Sequence, residues 1–494
     1  MNPFKDFDNY VENAMSSWHC PGAVVAVVKG DEVLHQGAYG LRDVEANLPM
    51  TLDTCSPIAS VTKSFTAMCI ALLVDENKLD WDTPIRDYAP EFILDDAYAT
   101  QHMTIRDLLS HRTGLPGHFW ATYRLDVELA ELVRRMKYLK FNSSFRDKWQ
   151  YNNALYMATA YLIEKLSNQT WQDFFHERIF SPLGMTASAT SLNLLPKNRV
   201  VSKGYRVKRD DEGNFEALSN VPFETFRGDY PGTAGSILST VPDLMTWLKL
   251  QLNKGKLDGD TFVTPENLRE MHLPQMVLPV DEEAEKVFGA SIAAYGMGWF
   301  IESYKGHTLI SHSGELEGHT SWVAFIPKEN IAVAVLTNLT KSPFAYVLTY
   351  ESIDRALGIT SGDWNSKLHE FVDPMFIKEA ESRQESAKER ISDASPNHPS
   401  EDYVGTYKVK GYPDFVVRVE GERLEACTVN SSDWSELRHY HYDTFEWYVP
   451  NYDFWMKLHF IGDGDGNIAS VSLPFEPEVG DIVFEREAGD SSPT

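Results

Sequence analysis

Cysteine is scarce in this chain. The 494 residues hold four, Cys20, Cys55, Cys69 and Cys427, with no paired spacing. That pattern offers neither a disulfide framework nor a cysteine-built metal centre, and it fits a reducing, cytoplasmic compartment. The first residues, Met1-Asn2-Pro3-Phe4-Lys5-Asp6, show neither the basic nor the apolar segment of a secretory signal. No apolar run approaches the roughly 18 residues that a membrane-crossing helix needs, so no membrane partner is expected. Cationic side chains are also in deficit: 45 Lys and Arg stand against 72 Asp and Glu, a formal net charge of −27. A surface that acidic repels phosphate backbones, which argues against nucleic acid as a partner.

Cofactor signatures are missing as well. Neither a phosphate-cradling G-x-x-x-x-G-K nor a zinc-binding H-E-x-x-H is present. Asp463-Gly464-Asp465-Gly466-Asn467 opens like a calcium loop. Glycine is absent from its sixth position, however, and Pro474 stands where the bidentate glutamate belongs. It reads as a hairpin turn. The expectation is a chain with no cofactor and no metal.

What is present describes a folded enzyme-sized protein. Hydrophobic residues make up 43% and charged residues 24%, and the length exceeds one ordinary domain. Residues 22–29 form a β-rich apolar run that Gly30-Asp31 turns into a second strand at 33–40. Helical periodicity follows at 61–73, 104–111, 127–138, 154–166, 171–180 and 244–252. Strand signals return at 299–301 and continue through 307–311, 321–326 and 331–337. Strands at both ends with helices between them predict an α+β domain, one antiparallel sheet built from both ends and covered by the helical middle. Residues 361–400 read as a linker containing a helix. From 401 to 494, seven or more short strands predict a small antiparallel β-barrel. The expected division is therefore 1–360, 361–400 and 401–494.

The chemistry concentrates at Ser60-Val61-Thr62-Lys63, near the start of an apolar helix. Three residues of spacing put the Lys63 amine on the same helix face as the Ser60 hydroxyl. A serine is a poor nucleophile until a base removes its proton. A lysine in an apolar site gives up part of its preference for the charged form and can serve as that base. Two more patterns follow in order: Tyr151-Asn152-Asn153, ahead of a predicted helix, and Ser311-His312-Ser313-Gly314, at the end of a predicted strand.

S-x-x-K, Y-x-N and H-x-G in this order resemble the serine β-lactamase and penicillin-recognising family, nearest its class C β-lactamase and family VIII carboxylesterase branch. Leu108-Leu109-Ser110-His111-Arg112-Thr113-Gly114-Leu115-Pro116 and Gly232-Thr233-Ala234-Gly235-Ser236 agree with it. Tyr403-Val404-Gly405-Thr406-Tyr407 and the strands beyond resemble the lipocalin-like domain attached to some of these enzymes. The resemblance implies that Ser60 becomes acylated and that Lys63 and Tyr151 share the proton traffic. It implies an oxyanion hole from the backbone N–H groups of Ser60 and Glu315, just past Gly314, and a substrate contact from Asn153, which could instead cap its helix. His312 stands where β-lactamases more often carry lysine, and an imidazole is only partly cationic near neutral pH. That tilts the expectation from penicillins toward a small ester or amide. Acyl transfer or lactonisation, β-lactam or D-peptide hydrolysis, and a non-catalytic scaffold are the alternatives, and a homo-oligomer is left open. Phe119, Trp120, Tyr123, Trp149, Phe226, Tyr230, Tyr295 and Trp322 lie near the motifs as candidates for an acyl pocket.

Overall fold

The computed structural model describes residues 2–222, 232–360, 362–391, 393–429, 434–450 and 452–487. A nine-stranded antiparallel sheet organises the first part. Its order from edge to edge is Met276–Leu278, Ala290–Tyr295, Phe300–Tyr304, His307–Leu316, His319–Ile326, Ile331–Thr337, Gly22–Lys29, Glu32–Asp43 and Leu48–Pro49. The two ends of this part of the chain meet between its sixth and seventh strands, where Ala23 lies opposite Thr337 and Lys29 opposite Ile331.

The continuous apolar run of the first strand has a direct cause. Ala23, Val25 and Val27 pack beneath the helices Phe7–Ser17 and Phe344–Leu357, whereas Val24, Ala26 and Val28 enter the larger core on the other face. A strand covered on both sides needs no polar alternation. The larger core is built around the helix Thr62–Asp75, buried from Thr62 through Leu73. A helix apolar all round belongs inside rather than on a surface. Asn153–Ser167 and Val241–Leu252 pack beside it. The latter is capped by Thr240, whose hydroxyl accepts from the Asp243 N–H, with a proline in its first turn.

Toward the C-terminus, eight strands close into a barrel. Closure joins Gly405–Lys408 to Ile482–Arg486, with Tyr407 opposite Arg486. Trp447, Phe415, Phe475 and Phe484 fill it and are continuous with the core around Trp120. The α+β sheet assembled from both ends and the C-terminal barrel are therefore both present. Several elements go beyond the sequence reading. The helices Phe7–Ser17 and Phe344–Leu357, the strands Met276–Leu278 and Ala290–Tyr295, and the hairpin Gly204–Arg209 with Phe215–Val221 are additional to the elements expected from the sequence. The helix between sheet and barrel runs from Trp364 to Lys388, straight through Pro374.

Candidate active site

Ser60 sits on the 3₁₀ turn Ala59–Val61 that runs directly into Thr62–Asp75. Ala59 has φ of 46°, a left-handed conformation that costs energy for a residue with a Cβ. Two bonds hold the bend in place: Ser321 Oγ donates to Ile58 O at 2.7 Å, and the Ile58 N–H donates to Ile237 O at 2.9 Å. Three residues on, Lys63 is fully buried and donates to Ser60 Oγ at 3.1 Å and to Ala234 O at 2.7 Å. No carboxylate among the described residues lies within ion-pair distance of its amine. Burial accordingly holds the Lys63 pKa well below the ordinary amine value. The Lys63 Nζ also stands 4.7 Å from the Tyr151 ring centre and 5.3 Å from that of Tyr156.

The strand His307–Leu316 reaches this turn edge-on. It is paired with Phe300–Tyr304 only as far as Ser311, but with His319–Ile326 as far as Leu316. Against the edge left open, the Ser60 turn comes so close that a methyl on Gly314 would lie 2.1 Å from Ile58 O and 2.9 Å from Ser60 N. Only glycine fits there. Glu315 follows, with its side chain exposed and its carboxylate accepting from Thr340 Oγ1 at 3.1 Å.

His312 differs from the expectation of a partly cationic donor. It is buried, and its Nδ1 lies 2.6 Å from the Ser313 carbonyl, which can only accept. Nδ1 therefore carries the proton, and Nε2, 2.9 Å away, accepts from the Tyr295 hydroxyl. Desolvation, reinforced by nearby Lys63, pushes the His312 pKa down to about 3. The ring is neutral across the physiological range, and both nitrogens are engaged inside the protein.

The Tyr151 ring lies against the Lys63 amine, and its hydroxyl is near enough to Ser60 to feel it electrostatically. Burial raises the phenol above its usual pKa, and the Ser60 contact opposes that only in part. The residue that fixes Tyr151 is His111, which the sequence presents only within a secondary signature. The His111 carbonyl accepts from the Gln150 N–H at 2.8 Å, and its Nδ1 accepts from the Asn152 N–H at 3.0 Å. One residue thus grips the chain on both sides of Tyr151. His111 Nε2 is buried without a partner among the described residues, and the ring lies 4.4 Å from Tyr151 and 5.0 Å from both Tyr156 and Tyr295. Burial holds this imidazole neutral too, with the Lys63 charge adding to the effect.

The cap of the following helix is Asn152 rather than Asn153. Asn152 Oδ1 accepts from the Leu155 N–H at 2.9 Å, and its Nδ2 donates to Pro116 O at 2.5 Å. Asn153, the first helical residue, is half-buried, and its side chain makes no hydrogen bond among the described residues.

The aromatic candidates separate into three groups. Trp149 and Tyr295 stand by the site, 5.9 Å from one another, with Trp149 also 5.9 Å from Tyr151. Phe119, Trp120 and Tyr123 turn instead toward Tyr452, Trp447 and Phe475 of the barrel. Trp322 packs on Tyr346 in the core on the opposite face of the sheet. Phe226 and Tyr230 lie outside the described residues. Those residues contain no cluster of potential metal ligands and no helix long and apolar enough to cross a membrane.

Known proteins give this geometry its context. The family model described as Beta-lactamase matches residues 7–357, and a domain of unknown function, DUF3471, matches residues 389–486. The unguisins hydrolase ungD' of Aspergillus campestris is 27% identical over 521 aligned residues, which cover 99% of this chain and 92% of that one. The octameric penicillin-binding protein homologue from Pyrococcus abyssi shares the fold at a TM-score of 0.62 and 23% identity, over 97% of this chain and 99% of that one. The D-amino acid amidase from Ochrobactrum anthropi SV3 gives a TM-score of 0.56 at 25% identity, over 72% and 98%. With the family matched from residue 7 to residue 357 of 494, this chain belongs to the β-lactamase family of serine hydrolases.

Proposed function

We propose that this protein hydrolyses an amide or ester through an acyl-enzyme on Ser60. One observation carries the reading: a buried lysine without a carboxylate partner donates to the hydroxyl of a serine on a strained turn. When Lys63 is neutral its lone pair takes the Ser60 proton as Oγ bonds to the substrate carbonyl carbon. Negative charge then gathers on the carbonyl oxygen, beside the backbone N–H groups of Ser60 and Glu315, which serve as its donors. The tetrahedral adduct collapses, the C–N or C–O bond breaks, and the proton passes by way of Tyr151 to the departing amine or alkoxide. Water repeats the sequence on the acyl-enzyme and releases the acid. Asn153, with its side chain uncommitted, contacts the substrate. His312 and Tyr295 form a neutral hydrogen-bonded wall, which suits an uncharged substrate group better than a fixed anion.

The relatives point to amides as the first substrates to test, since they include an unguisins hydrolase and a D-amino acid amidase. In this reading residues 1–360 form the catalytic domain, 361–400 the connection and 401–494 the barrel. All four cysteines are buried, and Cys20, Cys55 and Cys69 are free, which supports a reducing, cytoplasmic setting. The test is mass spectrometry of the intact protein after exposure to D- and L-phenylalaninamide, a 4-nitrophenyl ester and a chromogenic cephalosporin. A transient adduct on Ser60 from an amide or ester, with acid released, is expected. Steady turnover confined to the cephalosporin would leave a β-lactamase, and no adduct from any of them would leave a scaffold.

A further inference from the structure

The barrel meets the catalytic part of the chain at a short turn, Phe475-Glu476-Pro477-Glu478, between its last two strands. From this turn two carboxylates reach the two segments that hold Tyr151. Glu476, itself buried, accepts from the His118 backbone N–H at 2.5 Å. His118 is fully buried with φ of 43°, so the turn it sits on is strained. Its ring is fixed at both ends: Nε2 donates to Lys140 O at 2.8 Å, and Nδ1 accepts from the hydroxyl of barrel residue Tyr412 at 2.6 Å. Two residues earlier, Pro116 O takes the Asn152 side chain. Between them, a methyl on Gly117 would lie 3.4 Å from Tyr151 O and 3.8 Å from Glu476 Oε2, so the turn is sandwiched between the carboxylate and the tyrosine's own peptide. The second arm runs through Glu478. It accepts from Asn142 Nδ2 at 2.6 Å, with Lys148 Nζ 3.4 Å away, and Asn142 Oδ1 in turn accepts from Gln150 Nε2 at 2.7 Å. Phe475 backs the contact by stacking on Trp120, with ring centres 5.1 Å apart.

We infer that the barrel is a brace for Tyr151. Glu476 holds the segment that anchors the residue after it, Glu478 holds the segment that anchors the residue before it, and both are positioning residues rather than catalytic ones. The inference rests on the reading of Tyr151 as a proton carrier. A hydroxyl that must pass protons within hydrogen-bond reach loses most of its effect when displaced by about an ångström, a change that can cost about a hundredfold in rate.

The test compares Glu476→Ala, Glu476→Gln and Glu478→Ala in the full chain, using a 4-nitrophenyl ester and D-phenylalaninamide. Glu476→Ala should lower kcat by 10- to 100-fold with KM within about twofold, and should shift the inflection of its pH profile. Glu476→Gln keeps an oxygen that accepts from the His118 N–H and should return kcat to within about threefold of wild type. Tyr403→Phe removes a barrel hydroxyl bonded to Asp443, far along the chain from the brace, and serves as the control for barrel stability. Hydrogen exchange supplies a readout independent of turnover: amides of segments 111–118 and 142–152 should exchange faster in Glu476→Ala and not in Tyr403→Phe. If Glu476→Ala fails to fold, Tyr412→Phe and Glu478→Ala carry the same comparison. Wild-type kcat, pH profile and exchange in the brace variants would overturn the inference. Wild-type turnover in Tyr151→Phe would instead overturn the role of Tyr151, leaving exchange alone to judge the brace.

Discussion

Lys63 and Tyr151 flank one hydroxyl, but the chain holds them by opposite means. Lys63 is placed by its own helix, three residues from Ser60 and inside a buried core. Tyr151 is placed by segments distant in sequence, through the backbone and ring of His111, the Pro116 carbonyl and, through these, the barrel. In the proposed mechanism, damage to the first side removes chemistry while leaving geometry alone. Damage to the second leaves every reacting group present and misplaces one of them.

The sharpest break in this comparison is on the Lys63 side. Ser60→Ala should abolish the acyl adduct and lower kcat by about 10⁴-fold or more, and Lys63→Ala should cost a similar amount. The double variant should be little worse than either single one, because the two groups act as a unit. Steady-state kinetics check this, and fully additive losses would contradict a shared step.

On the other side, His111→Ala leaves Ser60, Lys63 and Tyr151 in place but frees the Asn152 N–H from its acceptor. The expected loss is roughly 10²-fold in kcat with KM little changed. A loss as deep as that of Ser60→Ala would mean that His111 reacts rather than positions.

The third effect separates the two sides by pH. Burial depresses Lys63 from its ordinary value of 10.5 by desolvation. Above its folded pKa the native chain has shed a proton that the unfolded chain keeps. Proton binding then favours the unfolded state at low pH, so stability from this group rises with pH between the folded value and 10.5. Urea midpoints of wild type and Lys63→Met should therefore diverge in favour of wild type as pH increases over this interval. The same titration should appear as an inflection in kcat/KM well below that of a free lysine, and an opposite slope in the stability difference would refute a depressed Lys63.

The smallest effect distinguishes neighbours. Asn152→Ala should cost about 1 kcal/mol or more of stability, because it removes a helix cap and a second buried bond. Asn153→Ala should leave the melting temperature unchanged and act on KM. A fall in melting temperature for Asn153→Ala alone would return the cap to position 153.

This contrast also explains what was legible in the sequence. The helix spacing that joins Ser60 to Lys63 is local, so four residues reveal it, and Gly314 was legible only as part of the H-x-G motif; its close approach to Ile58 O is a finding of the structure. The α+β plan was equally readable, since Gly22–Lys29 and Ile331–Thr337 are apolar on both faces. His111, Glu476 and Glu478 carried no such signal, because each acts through hydrogen bonds to a segment far away in the chain. His312 was read by analogy to a partly charged imidazole. Its neutral state depends on the Ser313 carbonyl and on burial, neither of which a motif displays. Helix Phe7–Ser17 was legible and went unread: Phe7, Val11 and Ala14 fall at the i, i+4, i+7 spacing of a helix face.

The seam between Gly22–Lys29 and Ile331–Thr337 has a consequence for synthesis on the ribosome. Gly22–Lys29 needs Ile331–Thr337 along one edge, yet some 300 residues separate them, about 15–60 s of translation at 5–20 residues per second. For that interval a nascent hairpin with two sticky faces and one unpaired edge waits for its neighbour, a hazard for self-association. Ribosome-arrested chains ending before residue 331 should thus stay protease-sensitive and bound to holdase chaperones, whereas arrest far enough past residue 357 to expose the last strand should release them. Early protection of residues 22–43 in the shorter chains would show that the hairpin is sheltered by another route.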